Sequence, residues 1–279
     1  MLTTPIVTAE ALRPLWRRVR LIDARSGEAG RAAYRQAHVR GALHADLERD
    51  LAGPAEEPAH GGRHPLPPIE QWAATLGRWG IGPGTPVVAY DDRGGANAAA
   101  RVWWMLRAVG HQPVAVLDGG WQAATEAGLP IDDRVPEVAP RGPYPAVGWQ
   151  QPMADAQAVE ARRTDPQYLV LDARASERHR GDVEPMDPVA GHIPGAVNLP
   201  FGDNLGSDGR FLPPTELAAL YRRVLGARSA DRLIVHCGSG VTACHTLLAL
   251  DQAGLEGAAL YVGSFSEWCR QRRPVARGE

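Results

Sequence analysis

Short apolar runs alternate with longer amphipathic stretches through both halves of the chain. In the second half, YLVLDAR, LIVHC and AALYVG have the length and composition of strands that are buried on both faces. TELAALYRRVLGA and TACHTLLALDQAG carry apolar residues at helical spacing. This alternation predicts an α/β fold, in which a mostly parallel sheet is covered by helices on both faces. Ligands of such sheets bind beyond the carboxyl ends of the strands.

The second half of the chain repeats the first half in diverged form. Four segments of the first half, LIDAR, AHVRGAL, PVVAYD and VGHQPVAVLDGGW, correspond in the same order to VLDAR, GHIPGAV, RLIVHC and AGLEGAALYVGSF. Two similar units in tandem indicate duplication of one domain, and the Pro-rich, aperiodic stretch between them is typical of an extended linker. The sequence therefore predicts an N-terminal domain over 1–132, a linker over 133–150 and a C-terminal domain over 151–279.

A cysteine stands at the end of a predicted strand in LIVHCGSGVTACHTLLAL, before a turn of small residues and a helix. We expect the backbone N–H groups after Cys237 to converge on its sulfur, with the positive end of the helix dipole behind them. Such surroundings stabilise a thiolate and provide a nucleophile at neutral pH. The sequence therefore predicts that Cys237 is catalytic. We also predict that four residues of this loop bind the substrate, namely Gly238, Gly240, Val241 and Thr242.

Free cysteines are commonly small buried core residues, and this is the alternative for each cysteine of the chain. We accept it for Cys244 and Cys269, because each lies beside apolar residues on a predicted helix face. Around Cys237, glycines on both sides of Ser239 allow the backbone to fold tightly around a bound atom, which simple core packing does not require. A cysteine phosphatase would carry a phosphate-binding arginine where Ala243 stands, so that activity is disfavoured.

Composition and charge narrow the function classes. The chain has 279 residues, of which 44% are hydrophobic and 22% charged, and this suffices for two globular cores. Its 30 Lys and Arg against 32 Asp and Glu leave a formal net charge of -2, so no global field attracts nucleic acid or an anionic membrane. The N-terminus lacks a basic segment followed by an apolar stretch, so we expect a cytoplasmic protein with reduced thiols. No cofactor is expected, and His60 and His64 lack a third residue at metal-ligand spacing.

The loop CGSGVT, the segment GHIPGAVNLPF, the paired LIDAR and VLDAR motifs and the segment LDGGW together resemble the tandem-domain rhodaneses over essentially the whole chain. The resemblance implies two rhodanese-like domains, of which only the C-terminal one is catalytic, since the repeat puts Asp91 where the second half has Cys237. It also implies transfer of sulfane sulfur in two steps through a cysteine persulfide. Within the family, CGSGVT resembles the loop of 3-mercaptopyruvate sulfurtransferases, whereas thiosulfate-preferring members carry basic residues after the cysteine.

The resemblance implies arginines that bind the substrate. The segment ARASERHRG matches the place where mercaptopyruvate enzymes bind the substrate carboxylate, which makes Arg178 the best match and Arg180 a second candidate. A solvated surface charge is the alternative for both. The resemblance implies a second substrate arginine shortly downstream, but VEPMDPVAGHIPG has Met186 near that position.

The resemblance also implies a proton relay. Ser239, His64 and Glu48 match a serine-histidine-acid relay of mercaptopyruvate enzymes, in which the serine helps to move a proton to the enolate left after sulfur departs. The match near Glu48 is loose, and Asp46 is the alternative acid. A hydroxyl that bonds its own turn and a histidine with a structural role are the alternatives for Ser239 and His64.

The leading hypothesis is an enzyme that moves sulfane sulfur from 3-mercaptopyruvate or thiosulfate, through a Cys237 persulfide, to a thiol such as thioredoxin or a small thiol, or to cyanide. A thiosulfate:cyanide sulfurtransferase is the alternative that the missing second arginine favours. A sulfur-relay or adaptor protein, fed by a partner persulfide and docked through its N-terminal domain, is the alternative from another class. Neither nucleic acid nor a membrane is expected as a partner.

Overall fold

The computed structural model forms two compact units and describes residues 2, 4–96 and 98–278. The first unit contains the described residues of 1–53, 67–150 and 207–211. The second unit contains those of 54–66, 151–206 and 212–279. Residues 54–66 thus pack with the second unit, although they precede the predicted linker along the chain. Within the described ranges, no helix is long and apolar enough to cross a membrane.

The first unit is built around a parallel sheet. Its strands are β1 (Ile6–Val7), β2 (Arg20–Asp23), β3 (His38–Val39), β4 (Leu43–His44), β5 (Val87–Tyr90), β6 (Val114–Leu117) and β7 (Ile131–Asp132). Its helices are α1 (Ala9–Leu12), α2 (Gly27–Gln36), α3 (Leu47–Asp50), α4 (Ile69–Arg78), α5 (Ala99–Ala108) and α6 (Gly120–Glu126). The sheet has the strand order β1-β6-β5-β2-β4, and every pair of neighbours in it is parallel. β3 and β7 form a separate antiparallel pair.

The second unit repeats this architecture. Its strands are β8 (Met153–Ala154), β9 (Leu169–Asp172), β10 (Val197–Asn198), β11 (Leu233–His236) and β12 (Ala259–Tyr261). Its helices are α7 (Ala156–Arg162), α8 (Ser176–Arg180), α9 (Pro214–Leu225), α10 (Ala243–Gln252) and α11 (Ser264–Arg270). The sheet has the order β10-β9-β11-β12-β8, again parallel throughout. Short 3-10 helices cover Trp16–Arg18 in the first unit, and Phe201–Asn204 and Ala230–Arg232 in the second.

The central strands are buried along their whole length. Every residue of β5, β6, β9 and β11 is buried, so both faces of each sheet are covered. In the first unit, α1 and α6 pack on the face that carries Val88 and Tyr90. In the second, α7 and α11 pack on the face that carries Val170 and Ile234. The predicted α/β fold, with two tandem domains of parallel strands and surrounding helices, is confirmed.

The two sheets have equivalent topology, as duplication requires. In each unit, the central strand (β5 or β11) lies between the strand of the repeated Asp-Ala-Arg motif (β2 or β9) and the following strand (β6 or β12). The antiparallel β3–β7 pair of the first unit is reduced to a single bridge, His192 to Ala276, in the second. The segment 133–150 contains no helix or strand and is hydrogen-bonded to the first unit, for example from the N–H of Tyr144 to the carbonyl oxygen of Ala73 at 2.9 Å.

The repeated Asp-Ala-Arg motif is a buried ion pair in both units. Arg25 and Arg174 each donate from Nη2 to Oδ2 of Asp23 and Asp172, respectively, at 2.7 Å, and from Nε at 3.0 Å to Oδ1. Each guanidinium also lies over an aromatic ring, at 4.4 Å from the Trp121 centroid in the first unit and 4.0 Å from that of Phe265 in the second. Both buried carboxylates also accept the backbone N–H of their arginine, at 3.1 Å in the first unit and 3.0 Å in the second.

Because the Asp23 carboxylate is fully buried, Asp23→Ala leaves the Arg25 guanidinium buried and unpaired. We expect the free energy of unfolding to fall by about 3–5 kcal/mol. Glu126→Ala, which breaks an exposed ion pair with Arg210, is the control, and we expect it to cost no more than about 1 kcal/mol. Urea denaturation followed by tryptophan fluorescence measures both. Equal losses for the two variants would contradict the structural role of the buried pair.

Candidate functional site

The loop after β11 places Cys237 at the carboxyl end of the second sheet. Cys237 is 3% exposed, and its N–H donates to Ser264 Oγ at 3.2 Å. The carbonyl oxygens of Cys237 and Gly238 accept the N–H groups of Phe265 and Ser266, at 3.1 and 2.9 Å. These N–H groups belong to the first turn of α11, where helix amides have no partner inside their own helix. The start of α11 therefore holds the start of the loop.

The start of the cysteine loop is hydrogen-bonded to α11, but several backbone N–H groups further along the loop have no such partner. The N–H groups of Ser239, Val241 and Thr242 donate to no acceptor among the described residues. Thr242 is the last residue before α10, a helix of 10 residues whose N-terminal end carries partial positive charge. Loop amides at such a helix terminus form a binding site for an anionic atom. This arrangement is consistent with the prediction that backbone N–H groups of the loop converge on the Cys237 sulfur.

Gly240 allows the tight turn of the loop. Its φ is +74°, and a Cβ atom at this position would lie 2.4 Å from the carbonyl oxygen of Val262. A real Cβ cannot approach backbone so closely, and the left-handed conformation is strained for other residues. The second glycine of CGSG is therefore required by the close approach of the loop to the end of β12.

In the first unit the equivalent loop is two residues longer and carries a carboxylate in place of the sulfur. Asp91 follows β5 as Cys237 follows β11. The Asp91 carboxylate accepts the N–H groups of Arg93 and Gly95 at 2.8 Å, and those of Ala98 and Ala99 at 3.1 Å. Burial raises the pKa of Asp91, and these four hydrogen bonds offset part of that rise. In the first unit the converging amides are thus satisfied by a side chain of the loop itself.

The structure brings His64 and Ser239 together within the second unit. His64 Nδ1 lies 2.8 Å from Ser239 Oγ, a hydrogen-bond distance, although the two residues are far apart in sequence. Ser239 belongs to the loop that follows Cys237, so the histidine is adjacent to the cysteine loop. This contact can pass a proton between the hydroxyl and the imidazole.

The segment that carries His64 is attached to α11 and its surroundings. The Gly61 N–H donates to Glu267 Oε1 at 2.8 Å, and Gln271 Nε2 donates to the carbonyl oxygen of Ala59 at 2.9 Å. A Cβ on Gly62 would lie 2.3 Å from the carbonyl oxygen of Gly263, so the backbones are in direct contact. The contact at Gly62 therefore seats this segment beside the cysteine loop.

The acidic partner predicted for His64 belongs to the first unit. Asp46 is the N-cap of α3 and accepts the N–H groups of Glu48 and Arg49, both at 3.1 Å. It also forms an ion pair with Arg31 at 3.1 Å. Glu48 lies exposed in α3 itself. Asp46 is therefore engaged in capping, and the relay role of Glu48 stays a prediction.

Of the two predicted substrate arginines, Arg178 reaches the cysteine loop. Its Nη1 and Nη2 lie 3.4 and 3.5 Å from the point that a Cβ on Gly238 would occupy. Arg180, on the same short helix α8, has a side chain that is 43% exposed and forms an ion pair with Asp182 at 2.8 Å. It is not among the atoms nearest that point, which belong to Arg178 and Arg63. This geometry does not support a substrate-binding role for Arg180.

Sequence reasoning missed Arg63. Its Nη2 lies 3.1 Å from the Cβ position of Gly238, closer than either terminal nitrogen of Arg178. The same Nη2 lies 3.9 Å from Sδ of Met186, the residue that stands where a second substrate arginine was expected. A guanidinium therefore lies next to the position of the expected second arginine, but it belongs to the segment that carries His64. The signal in the sequence was the position of Arg63 directly before His64 in GGRHPLPP.

Two buried carboxylates hold these arginines. Asp187 accepts hydrogen bonds from Arg63 and from Arg270, the latter at 2.6 Å. Glu184 accepts from Arg178 at 2.7 Å. Burial opposes ionisation of Asp187, but the hydrogen bonds from Arg63 and Arg270 outweigh it and keep its pKa below the usual value. Arg63 Nε and Arg178 Nε are buried and have no hydrogen-bond partner among the described residues.

His236, which directly precedes Cys237, is fully buried. Burial lowers its pKa to about 4, and the nearby Asp172 only partly opposes this shift. The imidazole is therefore neutral at neutral pH and contributes no charge to the site. The positive charge near the cysteine loop comes from arginines.

The two histidines of HGGRH contact different partners. His60 is exposed and lies 3.2 Å from Glu57, while His64 faces Ser239. Among the described residues, no group of three or more His, Cys, Asp or Glu side chains could hold a metal ion.

Comparison with known proteins identifies the same duplicated domain. A family model for the rhodanese-like domain matches residues 8–127 and again residues 155–271. Each match contains four of the five strands of one sheet, and the edge strands β1 and β8 directly precede the matched residues.

Several known sulfurtransferases are similar over most of the chain. A probable 3-mercaptopyruvate sulfurtransferase of Pseudomonas aeruginosa is 47% identical over 252 residues, which cover 90% of this chain and 88% of that protein. The thiosulfate sulfurtransferase of Mus musculus is 35% identical, over 88% of this chain and 82% of that protein. The structure of the 3-mercaptopyruvate sulfurtransferase from Leishmania major matches with a TM-score of 0.83 and 30% identity, over 95% of this chain and 74% of that one.

Gly240→Ala tests the backbone contact that shapes the cysteine loop. We expect it to lower the free energy of unfolding by more than about 2 kcal/mol, because it combines a left-handed conformation with a steric overlap. Gly254→Ala is the matched control, since Gly254 has a φ of +70° and open space around it, and we expect a loss of about 1 kcal/mol. Denaturant titration of each variant provides the comparison. Similar losses would mean that the loop does not depend on its contact with Val262.

Proposed function

The chain belongs to the rhodanese family and is a sulfurtransferase, and on this premise we propose that it transfers sulfane sulfur through a persulfide on Cys237. The donor is a small anion such as 3-mercaptopyruvate or thiosulfate, and the acceptor is a thiol or cyanide. The observation that carries the proposal is the contrast between the two loops. In the first unit a carboxylate fills the converging amides, whereas in the second the amides of Ser239, Val241 and Thr242 are left for a thiolate or its persulfide.

In the first half-reaction, the Cys237 thiolate attacks the sulfur of the donor. An S–S bond forms, and the bond that joined this sulfur to the rest of the donor breaks with its electron pair on the leaving group. From thiosulfate the leaving group is sulfite. From 3-mercaptopyruvate it is the enolate of pyruvate, which requires one proton at carbon to become pyruvate.

Arg63 and Arg178 orient the donor in this proposal. Their terminal nitrogens approach the backbone of Gly238, next to the nucleophile, and guanidinium groups present paired donors to a carboxylate or a thiosulfonate. The carboxylates of Glu184 and Asp187 hold both arginines in place. The anionic end of the donor is thereby fixed, so that its sulfur points at Cys237.

Ser239 and His64 supply the proton for the carbon leaving group. Their 2.8 Å contact connects the loop to the imidazole, which delivers a proton through the hydroxyl to the enolate. In the second half-reaction, an acceptor thiolate or cyanide attacks the outer sulfur of the persulfide. The S–S bond breaks, and the Cys237 thiolate is regenerated, so the kinetics are of the ping-pong type.

Intact-mass spectrometry tests the intermediate directly. After exposure to 3-mercaptopyruvate or thiosulfate and removal of the donor, we expect the protein to gain about 32 Da, the mass of one sulfur atom. Cys237→Ser abolishes this gain because the nucleophile is lost. Cys244→Ser and Cys269→Ser are matched controls that retain it, since both side chains are buried and burial raises the pKa of Cys269. A sulfur adduct that survives in Cys237→Ser would refute the assignment.

His64→Ala separates the proton relay from donor binding. With 3-mercaptopyruvate we expect kcat to fall by about 10²-fold or more, because the enolate is no longer protonated efficiently. With thiosulfate the fall is less than about tenfold, since sulfite leaves without protonation at carbon. His60→Ala, in the same segment but exposed and paired with Glu57, is the control and leaves both rates unchanged. Equal losses with the two donors would argue against the relay.

A further inference from the structure

Arg20 is a charged residue at a strand position that is apolar in the second unit. It opens β2 and is paired in register with Val87 of β5. The equivalent position of the second sheet is held by Leu169, which opens β9 and is paired with Leu233 of β11. Leu169 is buried, and Arg20 is partly buried. The first unit therefore places a cation where the duplicated architecture accommodates a hydrophobic side chain, at the amino end of the sheet.

The guanidinium of Arg20 has no counter-ion among the described residues. Its Nε atom is buried without a hydrogen-bond partner, and its side chain forms no ion pair within the part of the chain that the structure describes. Burial lowers the pKa of Arg20, and the nearby positive charge of Arg141 lowers it further. A partly buried charge without a partner raises the free energy of the folded state. An anion bound from solution would offset this cost.

Arg141 brings a second guanidinium to the same turn. A Cβ on Gly82 would lie 2.8 Å from Arg141 Nη1, and a Cβ on Gly80 would lie 3.2 Å from Arg20 Nη2. The Arg141 N–H donates to the carbonyl oxygen of Gly77 at 2.8 Å, which holds its segment against the end of α4. The two guanidiniums therefore approach one turn, which contains Gly80 and Gly82, from two separate segments.

No described carboxylate neutralises this pair of arginines. The side chain of Arg141 is exposed and forms no hydrogen bond or ion pair with a described residue. Glu137 is the acidic residue nearest to Arg141 in the sequence, and it pairs with neither arginine. The arrangement differs from that at the cysteine loop, where Arg63 is paired with a buried carboxylate. Two positive charges thus remain available at one place in the first unit.

We infer that Arg20 and Arg141 form a second anion-binding site, which lies in the first unit and takes a tetrahedral oxyanion with two negative charges, of the phosphate or sulfate type. Guanidinium groups present paired N–H donors to such oxyanions. A dianion offsets both charges, whereas a monoanion offsets only one. Free phosphate and the terminal group of an organic phosphate share this chemistry. The inference does not rest on the proposed transfer through Cys237, since that loop belongs to the second unit.

Titration with inorganic phosphate or sulfate, followed by NMR, tests the site without turnover. We expect the amide resonances of Gly80 and Gly82 to shift saturably when sodium chloride keeps the ionic strength constant. Acetate, a monoanion, is expected to bind at least about fivefold more weakly than phosphate. Phenyl phosphate distinguishes the two sources, because the site admits it if it takes an organic phosphate and excludes it if it takes only the free ion. Failure of both phosphate and sulfate to produce a saturable shift would overturn the inference.

Variants separate the arginine pair from net charge. We expect Arg141→Gln to weaken phosphate binding at least about fivefold, and Arg18→Gln, an exposed arginine near Arg20 in the chain, to change it less than about twofold. Gly82→Ala keeps both charges but displaces the Arg141 guanidinium from the turn, so it also weakens binding, by at least about threefold. Equal effects of Arg18→Gln and Arg141→Gln would mean that only net charge attracts the anion, and this would refute the site.

Arg20→Leu installs the residue type that the second unit carries at the equivalent position. Without phosphate or sulfate, we expect its thermal unfolding midpoint to equal or exceed that of the unmodified protein, because an unpaired charge is removed. Phosphate is expected to raise the midpoint of the unmodified protein more than that of Arg20→Leu. The amides of Ser239 and Val241 report any anion at the cysteine loop, and their response should be the same in both proteins. A lower midpoint for Arg20→Leu, with an equal gain from phosphate, would assign Arg20 a purely structural role instead.

Discussion

Backbone N–H groups that converge at the carboxyl end of a central parallel strand require an anionic partner, and both halves of this protein are built around that requirement. In the first unit the Asp91 carboxylate accepts four such groups and closes the loop on itself. In the second unit Cys237 follows the equivalent strand, and three loop amides have no acceptor among the described residues. The strand orders are equivalent, and the loops differ in the side chain that follows the strand and in length, since the loop after Asp91 is two residues longer than the loop after Cys237.

Near the cysteine loop, positively charged arginines are paired with negatively charged carboxylates. Arginines held by carboxylates keep their hydrogen-bond donors, while part of their charge is offset. Glu184 and Asp187 serve this purpose at Arg178 and Arg63. Both carboxylates are almost completely excluded from water, which is tolerated because each is bound by more than one arginine.

The helix α11 connects the two sides of the site. Its first amides hold the carbonyl oxygens of Cys237 and Gly238, and its Glu267 binds the backbone of the segment that carries Arg63 and His64. The cysteine loop and the residues proposed to orient the donor and to move protons therefore share one support. Such a support fixes distances on the scale that group transfer requires.

The amino-acid sequence by itself determined the fold class, the internal duplication and the position of the cysteine loop. These follow from local patterns, since apolar runs, helical periodicity and small residues after a strand are written in neighbouring positions. The contact of Ser239 with His64 was also predicted, but only through the resemblance of both motifs to a known family, because their separation in sequence carries no periodic signal.

Only the tertiary structure decided which guanidiniums reach the loop. Arg63 lies in an irregular segment, and its approach to Gly238 depends on the seat that Gly62 and Glu267 provide within the second unit. Asp187 likewise resembles an ordinary surface charge in the sequence, until its burial among arginines makes it a counter-ion of the site. Side-chain contacts between irregular segments are determined by packing in three dimensions, and no local periodicity records them.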